Sequence, residues 1–170
     1  MFTLDQINDM DRSGFVTAFG DVAEHSPWVA EGAFKEAPFS DSEAVIGAFE
    51  RAMGAATEDR KLSLVRAHPD LAGKAALAGA VAEESRREQA GAGLNTLSPE
   101  EFARFTDLNN RYKSKFGFPF IFAVKGATKE MILAAFEDRI ENSASVELET
   151  ALTQIARIFR FRLEEIIIDK

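Results

Sequence analysis

Residues 98–117 read SPEEFARFTDLNNRYKSKFG, and this stretch sets the class of the fold. Ser98 can serve as an N-cap, Pro99 suits the first helical position, and Glu101 follows at the third. This order is typical of a capping box, in which the serine and glutamate side chains each bind a backbone N–H group at the start of a helix. Apolar residues then recur at helical spacing as far as Gly117, and glycine commonly ends a helix. We therefore predict a long helix that buries Phe102, Phe105, Leu108 and Tyr112.

The capping-box pattern occurs twice more in the first third of the chain. Thr3 is followed at the right distance by Gln6, and Ser40 is followed by Glu43. Each pair can satisfy two backbone N–H groups that would otherwise lack partners at a helix start. We predict that helices begin at both places.

A run of mostly apolar residues interrupts the helical pattern. Residues 116–124 read FGFPFIFAV, and Pro119 disfavours a helical residue before it and has no backbone N–H to donate. We predict an extended buried segment that is too isolated to form a sheet. Helical spacing resumes over residues 128–142 and again from residue 145 onward. The predicted fold class is all-α, a compact single-domain bundle of about seven to nine helices over residues 1–170.

The composition fits a globular protein and argues against a nucleic-acid partner. The 170 residues are 46% hydrophobic, enough for a buried core. A net charge of -8 and a pI near 4.9 would repel a phosphate backbone. The N-terminus lacks the pattern of a secretory leader, and no window approaches the roughly 18 apolar residues of a membrane span. We expect a cytoplasmic protein with neither a nucleic-acid nor a membrane partner.

The residue types present exclude several kinds of site. The chain has no cysteine, and its 2 histidines are His25 and His68. Zinc–thiolate centres, cysteine nucleophiles and multi-histidine metal centres are therefore excluded, and we expect no metal. No phosphate loop and no complete dinucleotide-binding glycine motif is present. A Ser/His/Asp triad stays open on composition, although no serine lies in a Gly-x-Ser-x-Gly motif.

His68 is the candidate for acid–base chemistry. It precedes Pro69 at a break between two predicted elements, which holds its backbone out of the helical region and lets its imidazole project from the end of an element. A lone histidine in such a position can also cap a helix or fill a gap. The residue by itself leaves both interpretations open.

Two predicted helices carry polar side chains that could meet a ligand. Ser85, Glu88 and Gln89 share one helix face, and their hydroxyl, carboxylate and amide suit a ligand rich in N–H and C=O groups. The same face could simply be solvated. In the last helix Arg162 falls within an apolar stripe, where a guanidinium needs either a carboxylate partner or a ligand oxygen. Both interpretations of Arg162 stay open at this point.

Three segments together resemble one family. They read HPDLAG at residues 68–73, SRREQAGAGL at 85–94 and KFGFPFI at 115–121. In this combination they resemble the 2-oxo-4-hydroxy-4-carboxy-5-ureidoimidazoline (OHCU) decarboxylases of urate degradation. The similarity extends along the chain, through SPWV at 26–29 and LNNRY at 108–112.

The resemblance implies an activity and a set of site residues. It implies a compact helical bundle, usually a homodimer, that converts OHCU, a small-molecule substrate, to (S)-allantoin and carbon dioxide without a cofactor. The family's catalytic histidine falls on His68, and Glu88 either orients it or binds the ureido N–H groups. The positions that the resemblance assigns to substrate binding are Pro69, Ser85, Gln89, Phe120, Ile121, Phe122, Ala123, Val124 and Arg162.

Two other classes of function are compatible with the same residues. The chain could be a non-catalytic helical module that binds a ureide or another purine-derived ligand through the Ser85, Glu88 and Gln89 face. It could also be a structural or partner-binding bundle in which His68 is a cap and Arg162 an ion pair. Binding of allantoin without conversion of substrate would indicate the first, and binding of neither ligand the second.

Overall fold

The computed structural model describes residues 1–72 and 83–169, and most of these residues lie in helices. Nine α-helices are described, and the described strands are two residues long. In chain order the elements are β1 (Phe2–Thr3), α1 (Leu4–Asn8), α2 (Arg12–Phe19), a 3-10 helix (Gly20–Val22), α3 (Trp28–Phe34), α4 (Ser42–Gly54), α5 (Glu58–Ala67), α6 (Glu83–Gly91), α7 (Pro99–Phe116), α8 (Lys129–Arg139), α9 (Ala144–Ile166) and β2 (Ile167–Ile168). β1 and β2 pair in parallel. The all-α prediction is confirmed.

The chain forms two compact units. The first combines residues 1–67 with the chain from residue 156 onward, and the second runs from residue 68 to 155. The expectation of a single domain over residues 1–170 stays a prediction. None of the helices described has both the length and the apolar character that a membrane crossing requires.

Two of the three predicted capping boxes are confirmed. Thr3 donates its N–H to Gln6 Oε1 at 3.0 Å, and its hydroxyl accepts from the Gln6 N–H. Ser98 and Glu101 make the same reciprocal pair at the start of α7. α7 ends as predicted, because Gly117 takes a left-handed φ of 77° that a side chain would disfavour.

The predicted capping box of Ser40 and Glu43 is wrong by one residue. The N-cap of α4 is Asp41, whose Oδ1 accepts from the Ala44 N–H at 2.7 Å. The Ser40 hydroxyl instead donates to Asp41 Oδ2 at 3.2 Å. A carboxylate accepts a backbone hydrogen bond more strongly than a hydroxyl and also suits the positive end of the helix dipole, so the helix starts one residue later.

Phenyl rings fill the core of the first unit. Phe15 lies with its ring centroid 4.8 Å from that of Phe19, and Phe49 lies 6.1 Å from Phe159 of α9. All four side chains are fully buried. Such tilted and edge-on pairs favour the ring quadrupoles while removing a large apolar area from water.

The second unit has its own aromatic core, built around the segment without helical period. Tyr112 and Phe105 of α7 are buried as predicted, whereas Phe102 is only partly buried. Phe120 stacks on Phe136 of α8 with ring centroids 3.8 Å apart. Residues 118–124 form no strand and are buried apart from the partly exposed Phe122, so the predicted extended segment is confirmed.

Candidate active site

His68 opens a short turn directly after α5. We call residues 68–72 the His68 turn. The His68 side chain is 8% exposed and its Nε2 atom is buried, while Pro69 and Asp70 are half-buried. Ala72 ends the turn with a φ of 55°, in the left-handed region that non-glycine residues rarely adopt. A strained residue at the end of a turn that carries a buried imidazole is typical of a functional site.

Side chains from two helices hold this turn in place. Gln89 of α6 accepts from the Ala72 N–H at 2.9 Å and donates to the Asp70 carbonyl oxygen at 3.4 Å. Asn109 of α7 donates to the Leu71 carbonyl oxygen at 2.8 Å, and Lys113 Nζ lies 2.7 Å from Asp70 Oδ2. Hydrogen bonds from side chains to its backbone, and not packing alone, therefore hold the turn in place.

α6 presents the predicted polar face. Ser85 and Gln89 are buried, at 4% and 6% exposure, and Glu88 is partly buried. The partial burial argues against the interpretation of this face as simply solvated. Residues 73–82, which include the end of the HPDLAG motif, lie outside the described residues.

The segment assigned to substrate binding is held by side chains from α8 and α9. Arg139 donates through Nη1 to the Ile121 carbonyl oxygen at 2.6 Å, and its guanidinium lies 4.3 Å from the centroid of the Phe120 ring. Gln154 Oε1 accepts from the Ala123 N–H at 2.9 Å. One backbone carbonyl and one backbone N–H of this segment are thus already engaged within the protein.

The buried carboxylate of Glu147 binds three side chains, and one of them, Arg139, also holds this segment. Glu147 is fully buried and accepts from the Tyr112 hydroxyl at 2.6 Å, from Arg139 Nε at 2.9 Å and from Asn142 Nδ2 at 3.0 Å. Burial, followed by the hydrogen bond to Glu147, raises the pKa of Tyr112 far above its ordinary value. Arg139 links this cluster to the Ile121 carbonyl, so the cluster supports the extended segment.

Arg162 lies in the first unit, whereas the other predicted site residues lie in the second. Its side chain is 6% exposed, as the apolar stripe around it indicates. Nη2 lies 3.0 Å from Glu24 Oε1, and Nη1 donates to the Val22 carbonyl oxygen at 3.1 Å. The ion pair that the sequence left open is present, with Glu24 itself 3% exposed.

The sequence patterns did not single out Asn109 and Lys113, which hold the His68 turn, or Arg139, which holds the extended segment. One signal was available for Asn109: it falls on the buried face of α7, where Phe105 and Tyr112 flank it at helical spacing. A polar residue at a core position needs a partner. Among the residues that the structure describes, no group of three histidine or acidic side chains could hold a metal ion.

Comparison with known proteins assigns the family. The family model of the OHCU decarboxylases matches residues 8–164. An OHCU decarboxylase of Halalkalicoccus jeotgali is 42% identical over 168 residues, which is 99% of this chain and 93% of that protein. One of Haloferax volcanii is 43% identical over 163 residues, covering 96% and 95% of the two chains. A crystal structure of (S)-allantoin synthase superposes with a TM-score of 0.79 at 29% identity, over 98% of this chain and 54% of that one. This chain belongs to the OHCU decarboxylase family.

Proposed function

We propose that this chain is a carbon–carbon lyase of urate degradation that converts OHCU to (S)-allantoin and carbon dioxide without a metal or an organic cofactor. The similarity that carries the proposal spans nearly the whole chain and nearly the whole of both OHCU decarboxylases. The buried His68 and its fixed turn supply a matching acid–base group.

The substrate can accept its own electrons. Its hydroxyl and carboxylate share one ring carbon, next to a ring C=N bond. As carbon dioxide leaves, the electron pair of the broken C–C bond forms a C=C bond to the carbon of this C=N group, and the C=N pair moves onto the ring nitrogen. The nitrogen takes a proton from water, and the product of this step is an enol-like intermediate. Loss of the hydroxyl proton and gain of a proton at the neighbouring carbon then produce the carbonyl group of allantoin. No external electron sink is required.

His68 is proposed as the group that moves these protons. A neutral imidazole near pH 7 can accept the hydroxyl proton and then deliver a proton to the adjacent carbon. Delivery to one face of the ring gives one enantiomer. The turn that fixes His68 therefore contributes to stereochemistry as well as to rate.

The remaining site residues are proposed to bind and orient the substrate. Pro69, Ser85, Gln89 and residues 120–124 contact it, and Arg162 binds an anionic or carbonyl oxygen. Glu88 has two candidate roles, orientation of His68 or binding of the ureido N–H groups. These roles differ in their consequences, because a carboxylate beside His68 favours protonated imidazole.

The experiment generates OHCU in place from urate with the upstream enzymes and follows circular dichroism. The wild-type protein should speed formation of a single allantoin enantiomer. His68→Ala should lower kcat by about 10²- to 10⁴-fold, the usual contribution of general acid–base catalysis. His25→Asn is the matched control, because His25 is the other histidine, is exposed, and has a φ of 46° that asparagine tolerates.

Each outcome decides between the candidate functions. Racemic product at the uncatalysed rate would refute the enzyme proposal. Binding of allantoin without turnover would favour the non-catalytic ligand-binding module. Near-normal turnover by His68→Ala would remove His68 from the mechanism while leaving the activity in place.

We also propose that the protein acts in the cytoplasm as a homodimer, in keeping with its family. Light scattering on the purified protein tests the assembly, and a mass of 18.7 kDa at all concentrations would contradict the dimer.

A further inference from the structure

The peptide bond between Leu71 and Ala72 is held at both of its polar ends. Its C=O group accepts from Asn109 Nδ2 at 2.8 Å, and its N–H group donates to Gln89 Oε1 at 2.9 Å. The two groups of a trans peptide point in opposite directions. Two amide side chains on opposite sides therefore fix the rotation of this peptide plane, which we call the clamped peptide.

The clamped peptide lies where the backbone is strained. Rotation of this plane changes the φ of Ala72, which has the left-handed value of 55°. Such a conformation is costly for a non-glycine residue and persists only when the surroundings impose it. The clamp supplies that constraint three residues after His68.

The stability of α7 does not account for an asparagine at position 109. Asparagine is a weak helix former, and this one is 4% exposed on a face otherwise made of apolar and aromatic side chains. Its Oδ1 atom is buried and has no hydrogen-bond partner among the described residues. An apolar residue would suit the position better, unless the amide serves the turn.

We propose that Asn109 is a positioning residue for the catalytic His68, acting through the clamped peptide. Gln89 binds the other end of the clamped peptide, through the Ala72 N–H. Lys113 binds the same turn through the Asp70 carboxylate. The proposal rests on the proposed function only in taking His68 as the acid–base group. Loss of the clamp allows the turn to relax and displaces the imidazole from the reacting atoms.

Asn109→Asp tests the proposal with little change of shape. The ionised carboxylate has no N–H to donate and repels the Leu71 carbonyl oxygen. We expect kcat to fall by about 10- to 100-fold with KM within about twofold, because a displacement of about 1 Å can cost that much in rate. As the pH falls and the carboxyl group is protonated, its O–H can donate again, so the ratio of variant to wild-type kcat should rise.

Asn110→Asp is the matched control. It makes the same charge change on the next residue of the same helix, where the side chain is exposed. We expect wild-type kcat and KM from this variant at every pH.

Imidazole NMR supplies a readout that does not depend on turnover. The chain has 2 histidines, so His25→Asn assigns both sets of signals. Asn109→Asp should shift the His68 signals and leave those of His25 unchanged, whereas Asn110→Asp should shift neither.

The outcomes separate this proposal from the proposed function. If the wild-type protein is active and a folded Asn109→Asp keeps kcat within about twofold, the positioning role is overturned. If the wild-type protein is inactive, the proposed function fails, and unchanged His68 signals in the variant would overturn the positioning role as well. Should Asn109→Asp not fold, Asn109→Leu removes the donor at similar size without adding a charge, and the same fall in kcat and the same shift of the His68 signals are expected from it.

Discussion

Replacement of Tyr112 by Phe removes one hydroxyl from the polar cluster around the fully buried Glu147. That hydroxyl donates to Glu147 Oε1 at 2.6 Å, and both residues are fully buried. The phenyl ring that remains keeps its contacts with Phe116 and Phe120, whose ring centroids lie 4.5 Å and 5.4 Å away. The substitution therefore tests one hydrogen bond with little loss of packing.

The expected loss of stability is about 2 kcal/mol. A hydrogen bond to a charged group contributes about 1.5–3 kcal/mol. Glu147 keeps two donors, Arg139 Nε at 2.9 Å and Asn142 Nδ2 at 3.0 Å, so its buried charge stays paired. The loss should thus stay below the roughly 3–5 kcal/mol of a broken buried ion pair. For a chain of this length, about 2 kcal/mol corresponds to a fall in Tm of about 4–8 °C.

Thermal and urea unfolding, followed by the circular dichroism of the helices, measure this loss. Thr153→Val is the control, because its exposed hydroxyl only donates to the Glu149 carbonyl one turn earlier in α9. Its stability should stay within about 0.5 kcal/mol of wild type. A Tyr112→Phe protein within the same limit would refute the stabilising role of the phenol–carboxylate bond, and a loss above about 4 kcal/mol would show that more than one hydrogen bond had been removed.

Three further predictions follow from local geometry. The folded pKa of Tyr112 is raised above its unfolded value of about 10, so the stability that its neutral phenol contributes is present below about pH 10 and is lost as the pH rises further. Tyr112 is the 1 tyrosine of the chain, and it should show no tyrosinate absorbance near pH 10 until the protein unfolds. Ordinary titration near pH 10 in the native state would contradict this prediction. Hydrogen bonds from the Ser98 N–H and then from the Lys129 ammonium lower the pKa of Glu101, so the stability that its carboxylate contributes is present above its ordinary pKa and is lost as the pH falls. Glu101→Gln should therefore flatten the acid side of the plot of Tm against pH. A plot parallel to that of the wild type would refute this role of Glu101. Asp41→Ala removes the N-cap of α4 and should lower the free energy of unfolding in urea by about 1 kcal/mol, whereas Ser40→Ala should lower it by less than half as much. Equal losses from the two variants would indicate that Ser40 is the cap.

Local chemistry made much of the fold predictable from sequence. The helix start at Ser98 and the end at Gly117 depend on residues within a few positions of each other, and both were predicted correctly. The Ser40 prediction was wrong for an equally local reason, because the carboxylate of the adjacent Asp41 is a stronger acceptor for the backbone N–H at the start of α4. Competition between neighbouring caps moves a boundary by one residue without changing the fold.

The connections within the site depend on long-range contacts and were not predictable in the same way. Gln89 reaches the turn residue Ala72 across 17 positions, and Asn109 reaches Leu71 across 38. The family resemblance assigned Gln89 to substrate binding, which stays a prediction, and the structure adds that its amide binds the His68 turn. Only the burial of a polar residue on an apolar helix face could have drawn attention to Asn109.

Arg162 and Gln89 both have partners within the protein, and both are proposed to bind substrate. A buried polar group needs partners in the substrate-free protein as well, since an unsatisfied guanidinium or amide is costly to bury. Glu24 holds Arg162 at 3.0 Å, and an arginine fixed in this way loses less side-chain entropy when a ligand oxygen arrives. The sequence left the ion pair and the substrate-binding role of Arg162 as alternatives; the ion pair is present, and the substrate-binding role stays a prediction. The same reasoning applies to Gln89, because its amide is already fixed by two hydrogen bonds to the His68 turn and would lose little further entropy on the predicted contact with substrate.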